Sequence, residues 1–129
     1  MMGRVLLVGL GGAFGSALRY VVALVGTAWL GPAFPWGTLA VNLAGSFAIG
    51  LVQQLAVESL VISESTRLLI STGVLGGLTT YSSFSYESVR LMETGAWLPA
   101  WLNVLGTTMA CLTLCFLGLV TGRVVFAPR

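Results

Sequence analysis

Hydrophobic residues fill four long stretches of the chain, and short polar segments separate them. The stretches cover residues 5–30, 36–57, 68–92 and 97–125. Each is long enough for a helix that crosses a lipid bilayer, which needs roughly 20 apolar residues. The pattern therefore predicts an all-α integral membrane protein, with four transmembrane helices in a single transmembrane domain over residues 1–129.

The connections between the stretches are short. Residues 31–35 contain glycine and proline and predict a turn, residues 58–67 form the most polar loop, and residues 93–95 close the third connection. Tryptophans stand near the predicted helix ends, where an amphipathic indole ring prefers the lipid headgroup layer. These tryptophans are Trp29, Trp36, Trp97 and Trp101.

The composition argues against an enzyme and against a nucleic-acid partner. The chain is 57% hydrophobic and 8% charged, whereas about 25% charged residues is typical of soluble proteins. It has no His to act as a base, and its four acidic residues, all Glu, lie near the predicted ends of the spans. The six arginines are dispersed, so they form no basic stripe for nucleic acid.

The positions of the arginines also predict how the chain is oriented in the membrane. With four spans, both termini and the second connection lie on one side of the membrane. That side carries Arg4, Arg67, Arg123 and Arg129, and the other carries Arg90. Because cytoplasmic loops are enriched in Arg and Lys, this modest bias favours cytoplasmic termini.

Polar residues recur every four positions in two of the predicted spans. One stripe consists of Thr38, Asn42 and Ser46 and continues to Gly50, and the other consists of Asn103, Thr107 and Cys111. Hydrogen bonding between helices is one interpretation, worth about 0.6 kcal/mol per bond in membranes. The other is a lined path for a polar solute, which two parallel stripes favour. Packing is the interpretation preferred for Cys111 and Cys115, over metal binding or redox chemistry.

The third stretch is interrupted by glycines and threonines between residues 73 and 80. Each Gly costs a helix about 1 kcal/mol relative to Ala, so the segment predicts a break near mid-membrane, with a kinked helix as the alternative. A break frees backbone groups, which are tolerated at this depth only inside protein or beside water. Freed carbonyls suit a cation such as Na⁺, and freed amides suit an anion.

Aromatic and hydroxyl groups follow the predicted break. Tyr81 and Phe84 are three residues apart on one helix face, and Ser82 and Ser85 form a neighbouring pair. Ring edges are electropositive, so these edges and the hydroxyl donors could coordinate a small anion without a fixed cation. Ordinary packing of the two rings is the alternative.

Charged residues inside the spans need separate explanations. An Arg at the centre of a span costs about 2.5–3.5 kcal/mol. Arg19 either reaches back to the membrane interface or lines a water-filled vestibule that gathers anions. Glu87 and Arg90 are three apart and are predicted to pair with each other.

Two glycine pairs have the spacing of close helix packing. Gly11 with Gly15, and Gly118 with Gly122, follow the small-xxx-small pattern, in which missing side chains let helix backbones approach closely. We therefore expect these glycines to have a structural role.

Three motifs together resemble the Fluc (CrcB-type) fluoride channels, and the resemblance covers all four spans. The motifs are Gly11-Gly12-x-x-Gly15-x-x-x-Arg19-Tyr20, Trp36-Gly37-Thr38-Leu39-x-Val41-Asn42-x-x-Gly45, and Gly76-Gly77-Leu78-Thr79-Thr80-Tyr81-Ser82-Ser83-Phe84-Ser85. The third motif is the specific one.

The resemblance implies a passive channel that exports F⁻ from the cytoplasm of a prokaryotic cell across its inner membrane. It implies an antiparallel, dual-topology homodimer in the lipid bilayer, with two pores at the subunit interface. A structural Na⁺ at the dimer axis would be held by the backbone carbonyls of Gly76 and Thr79.

The resemblance also assigns residues to the ion pathway. These are Asn42, Tyr81, Phe84, Ser82, Ser85, Asn103, Thr107 and Arg19. The chain departs from the family pattern at Tyr81, where the family has Phe, and at Asn103 and Cys111, where Tyr and Ser are common.

Two other functions remain open from the sequence. A small proton-coupled exporter is also four-helical and dimeric, but coupling normally needs a titratable group within the spans. A non-conducting assembly subunit is supported by the glycine-rich faces alone.

Overall fold

The computed structural model describes residues 1–58 and 62–126, and within them the chain is helical, with four helical stretches. The first is α1 (Met2–Leu30) and the second is α2 (Trp36–Glu58). The third consists of α3 (residues 64–78) and α4 (Tyr81–Glu93), and the fourth is α5 (residues 97–126). The predicted all-α class with four helical stretches is confirmed.

Two of these helices contain wider, π-helical turns. In α3, Leu68–Leu75 is π-helical between Glu64–Arg67 and Gly76–Leu78. In α5, Leu102–Gly106 is π-helical between Trp97–Trp101 and Thr107–Phe126. Such turns occur often at functional sites.

Three helices of the described chain are long and apolar enough to cross a membrane: Met2–Leu30, Trp36–Val57 and Trp97–Val125. The third predicted span is not a single helix, because the chain is extended at residues 79–80. Thr79 has φ −79° and ψ 155°, and Thr80 has φ −153° and ψ 117°. The break predicted from the glycines and threonines is therefore present, and the chain is extended there and not merely kinked.

The start of the third stretch differs from the prediction. Residues 58–67 were expected to be a loop, but Glu64–Arg67 is already helical. Ser63 caps this helix, since its hydroxyl accepts a hydrogen bond from the Thr66 amide at 3.1 Å. Residues 59–61 of that predicted loop, and Arg129 of the orientation argument, lie outside the described residues.

Glycines bring the helices into close contact in two places. A Cβ atom at Gly11 would lie 2.9 Å from the Leu69 carbonyl oxygen, and one at Gly15 would overlap the Val74 carbonyl, so α1 lies directly on α3. In the same way, a Cβ at Gly118 on α5 would overlap the Phe47 carbonyl of α2. The predicted structural role of the glycine pairs is confirmed at these positions.

The apolar core of the chain is small, and much of its apolar surface faces outward. Val41, Leu75 and Leu78 form a buried cluster where α2 meets α3. Large apolar side chains elsewhere remain exposed, including Phe14 at 63% and Trp29 at 84%. An exposed apolar surface of this extent is typical of contact with lipid or with another protein chain.

One predicted ion pair is wrong. Glu87 was expected to pair with Arg90, but its Oε1 accepts a hydrogen bond from Thr38 Oγ1 at 2.7 Å. Arg90 Nη1 instead lies 3.7 Å from Glu93 Oε2. The reason is tertiary: Glu87 is turned toward α2, whereas Arg90 and Glu93 are exposed to solvent.

Candidate functional site

The helix break is stabilised by the side chain of one residue on the neighbouring helix. Asn42 on α2 donates through Nδ2 to the Thr80 carbonyl at 3.1 Å, and its Oδ1 accepts from the Thr80 amide at 2.8 Å. The amide side chain thus satisfies both backbone groups of an extended residue, as a neighbouring peptide would. Asn42, predicted as an ion-pathway residue, is therefore also the residue that stabilises the break.

These side-chain bonds release two backbone carbonyls from the helical pattern. In an α-helix the Gly76 carbonyl would accept from the Thr80 amide, and the Thr79 carbonyl would accept from the Ser83 amide. Here the Thr80 amide donates to Asn42, and the Ser83 amide donates to Thr80 Oγ1 at 3.1 Å. Gly76 and Thr79 are the residues that the resemblance assigns to Na⁺, and unwound backbone carbonyls are ligands that suit this ion.

An open groove of about 400 Å³ runs beside the break, between α2, the broken third stretch and α5. Six of the predicted site residues line it: Asn42, Gly76, Thr79, Tyr81, Phe84 and Thr107. Ser46 and Cys111, which the two polar stripes also singled out, line it as well. The structure therefore brings the break and two residues of each stripe to one cavity.

The two aromatic residues of the groove contact each other but differ in exposure. The ring centroids of Tyr81 and Phe84 are 5.5 Å apart and the rings are tilted by 45°. Phe84 is 8% exposed, while Tyr81 is 80% exposed. The predicted common face is confirmed, and Tyr81 is the ring that the single chain leaves uncovered.

Ser82 and Ser85 do not line the groove within the described part of the chain. Ser82 Oγ lies 3.3 Å from Thr80 Oγ1, and Ser85 Oγ donates to the Tyr81 carbonyl at 2.9 Å. Both hydroxyls therefore bond within the first turns of α4 and its cap. Arg19, on α1, is half-buried and is likewise absent from the described lining of the groove.

Asn103 and Thr107 are joined in a buried chain of hydrogen bonds. Thr107 Oγ1 donates to Asn103 Oδ1 at 3.1 Å, and Asn103 Nδ2 donates to Ser88 Oγ at 3.0 Å. Ser88 Oγ in turn donates to the Phe84 carbonyl at 2.7 Å. Thr107 reaches the groove, but Asn103 is 1% exposed and is not among the residues that line it.

Two further hydroxyl residues of this region, Ser88 and Ser71, were not predicted from the sequence. Ser88 links Asn103 to α4. Its position four residues after Phe84, on the same helix face, could have indicated that it lies near the predicted pathway. Ser71 lines the groove, and its buried Oγ has no hydrogen-bond partner within the described chain. The position of Ser71 inside the apolar segment 68–75 could have indicated that it lines a polar cavity.

Comparison with known proteins gives consistent matches. The model of the family described as CrcB-like protein, Camphor Resistance (CrcB), matches residues 6–119. A protein of Magnetococcus marinus is 48% identical over 118 residues, which cover 92% of this chain and 96% of the relative. Proteins of Agrobacterium fabrum and Geobacter sulfurreducens are 46% and 43% identical, each over 95% of this chain and 98% of the relative. All three carry the name fluoride-specific ion channel FluC.

Proposed function

The chain belongs to the CrcB family, and from this premise we propose that it is a fluoride-specific ion channel. It is an integral membrane protein of a prokaryote and not an enzyme. The observation that carries the function is the 48% identity to a channel of that name over 92% of the chain. The groove beside the helix break is the feature of the structure that fits it.

Transport is passive in this proposal. Fluoride enters cells from an acidic medium as HF, which dissociates in the neutral cytoplasm and leaves F⁻ trapped there. An exit for F⁻ down its gradient therefore relieves toxicity. The channel would act in the inner membrane and would need no energy source.

The proposed ion pathway runs through the groove. Asn42, Tyr81, Phe84 and Thr107 line it, so F⁻ would exchange its water for uncharged donors and the edges of the rings. Ser82 and Ser85 support the first turns of α4, next to the rings. Arg19, another predicted residue, would raise the positive potential at a vestibule.

A homodimer completes this pathway in the proposal. The groove is open on one side of the chain, and Tyr81, 80% exposed, lies at its edge. A second, antiparallel copy would cover the open side and give two pores at the interface. The second copy and the surrounding lipid would together cover the exposed apolar surface. The dual topology itself rests on the family resemblance, whereas the modest arginine bias favours a single orientation.

The proposal includes a structural Na⁺ at the dimer axis. The backbone carbonyls of Gly76 and Thr79 would hold it, because their usual helical donors bond to Asn42 and to Thr80 Oγ1. These are two oxygens from one chain, and a second copy would supply two more to surround the ion. When bound, the ion supplies positive charge that offsets the carbonyl dipoles.

Fluoride efflux from liposomes tests the function. Purified protein is reconstituted into vesicles loaded with fluoride, and external fluoride is followed with a selective electrode. Efflux well above that of protein-free vesicles supports the channel, and efflux equal to that baseline contradicts it. Uphill movement driven by a pH gradient would instead indicate a proton-coupled exporter.

A further inference from the structure

Helix α4 carries both rings of the groove, and polar bonds fasten it to its neighbours. Its N-terminus is held by the Asn42–Thr80 pair, and Thr38 on α2 donates to Glu87 at 2.7 Å. On its other side, Asn103 of α5 donates to Ser88 at 3.0 Å. Within the described residues, the hydrogen bond between Asn103 and Ser88 is thus the side-chain link between α5 and α4.

The surroundings of Asn103 exclude it from direct contact with an ion in the groove. It is 1% exposed and, unlike Asn42, is not among the described residues that line the groove. Its Oδ1 accepts from Thr107 and its Nδ2 donates to Ser88, so both ends of the amide are engaged in bonds within the chain. A buried polar side chain with both ends engaged fixes the groups to which it bonds.

The groups that Asn103 fixes belong to the groove. Thr107 lines the groove directly, and Ser88 bonds to the carbonyl of Phe84, whose ring lines it too. The distance between the Phe84 edge and the Thr107 hydroxyl thus depends on a bridge of three consecutive hydrogen bonds, of 3.1, 3.0 and 2.7 Å.

We propose that Asn103 is a positioning residue for anion selectivity: it does not touch the permeating ion, but it sets Phe84 relative to Thr107. The proposal rests on the fluoride-channel function. A small shift of the ring edge matters more for fluoride than for chloride, since fluoride must lose more hydration and needs closer donors to replace it. Loss of the bridge therefore reduces selectivity, and not only the amount of active protein.

The test compares Asn103→Leu and Ser88→Ala with the unchanged chain. The matched control is Thr113→Ala, also on α5, because the one bond of the Thr113 hydroxyl within the described residues goes to the Met109 carbonyl of its own helix, at 2.8 Å. Fluoride and chloride efflux are measured on the same liposome preparations, and hydrogen exchange of residues 81–93 is followed by mass spectrometry.

Asn103→Leu removes two buried hydrogen bonds, to Ser88 and from Thr107. We expect the ratio of fluoride to chloride efflux to fall by at least about tenfold, the change that loss of one such bond produces in a barrier. Ser88→Ala should lower the ratio in the same direction, and the double variant should be no worse than Asn103→Leu, because the two residues act through one bridge. Exchange of residues 81–93 should become faster in both variants and stay unchanged in Thr113→Ala.

The possible failures are distinguishable. A mere loss of folded channels would lower both fluxes and leave the ratio unchanged, which overturns the proposal. If Asn103→Leu does not fold, an unchanged ratio in Ser88→Ala overturns it as well. Absence of fluoride efflux from the unchanged chain would contradict the channel function itself. In that case the positioning role of Asn103 is still tested, because unaltered hydrogen exchange of residues 81–93 in the variants would refute it.

Discussion

Gly45 offers the sharpest structural prediction, because its missing side chain makes room for the helix break. A Cβ atom at Gly45 on α2 would overlap Cγ2 of Thr79. Rotation of the Thr79 side chain would break the hydrogen bond that its Oγ1 donates to the Leu75 carbonyl at 2.8 Å. Gly45→Ala must therefore either displace Thr79, together with the carbonyl that we assign to Na⁺, or force its side chain to rotate and give up this bond.

The size of the effect follows from these two contacts. Forcing one extra methyl group into a packed site costs about 1–3 kcal/mol. If Thr79 rotates instead, it gives up a hydrogen bond worth about 1 kcal/mol. We therefore expect Gly45→Ala to lower the free energy of unfolding by about 2 kcal/mol and to reduce fluoride efflux.

A second substitution separates this clash from any general effect. Thr79→Ser removes Cγ2 but keeps the hydroxyl that bonds to Leu75. In the double variant, Gly45→Ala with Thr79→Ser, stability and efflux should return toward those of the Thr79→Ser single variant. Gly9→Ala is the matched control, because nothing lies within 4 Å of a Cβ at that helical position.

Stability is measured by thermal unfolding in detergent micelles, and fluoride efflux by an electrode with liposomes. The reasoning is refuted if Gly45→Ala is as stable and as active as Gly9→Ala. It is also refuted if Thr79→Ser leaves the defect of Gly45→Ala unchanged, because the overlap with Cγ2 would then not be its cause.

Three further predictions concern the same region. Asn42→Leu leaves the amide and carbonyl of Thr80 unpaired, so it should cost about 2–4 kcal/mol in thermal unfolding; an unchanged melting temperature would show that the break does not depend on Asn42. Tyr81→Phe should keep fluoride efflux, because the ring edge is the proposed ligand, whereas Tyr81→Ala should reduce it strongly; equal efflux in both variants would remove the ring from the pathway. Replacing Na⁺ by a bulky organic cation should lower the melting temperature, since a ligand that binds only the folded state stabilises it; a melting temperature independent of Na⁺ would contradict the assignment to Gly76 and Thr79.

The sequence predicts the elements of the fold well, because each prediction rests on a local property. The apolar stretch at 36–57 became the helix Trp36–Glu58. The helix break follows from local preferences, since consecutive glycines and threonines disfavour a helix wherever they occur. The common face of Tyr81 and Phe84 follows from helix geometry alone.

The partners of individual side chains could not be predicted in this way. Glu87 bonds to Thr38 and not to Arg90, because the rotation of α4 against α2 decides which neighbour it meets. Asn103 lies in a polar stripe, yet it is buried against Ser88. Both outcomes depend on how whole helices dock, which spacing within one helix does not determine.

The central claim is that uncharged donors and ring edges in one groove replace the water around fluoride better than around a larger halide. The most direct measurement compares fluoride and chloride efflux from the same reconstituted liposomes, with protein-free vesicles as the baseline. The account predicts fast fluoride efflux and chloride efflux close to the baseline. Equal efflux of the two anions would contradict it.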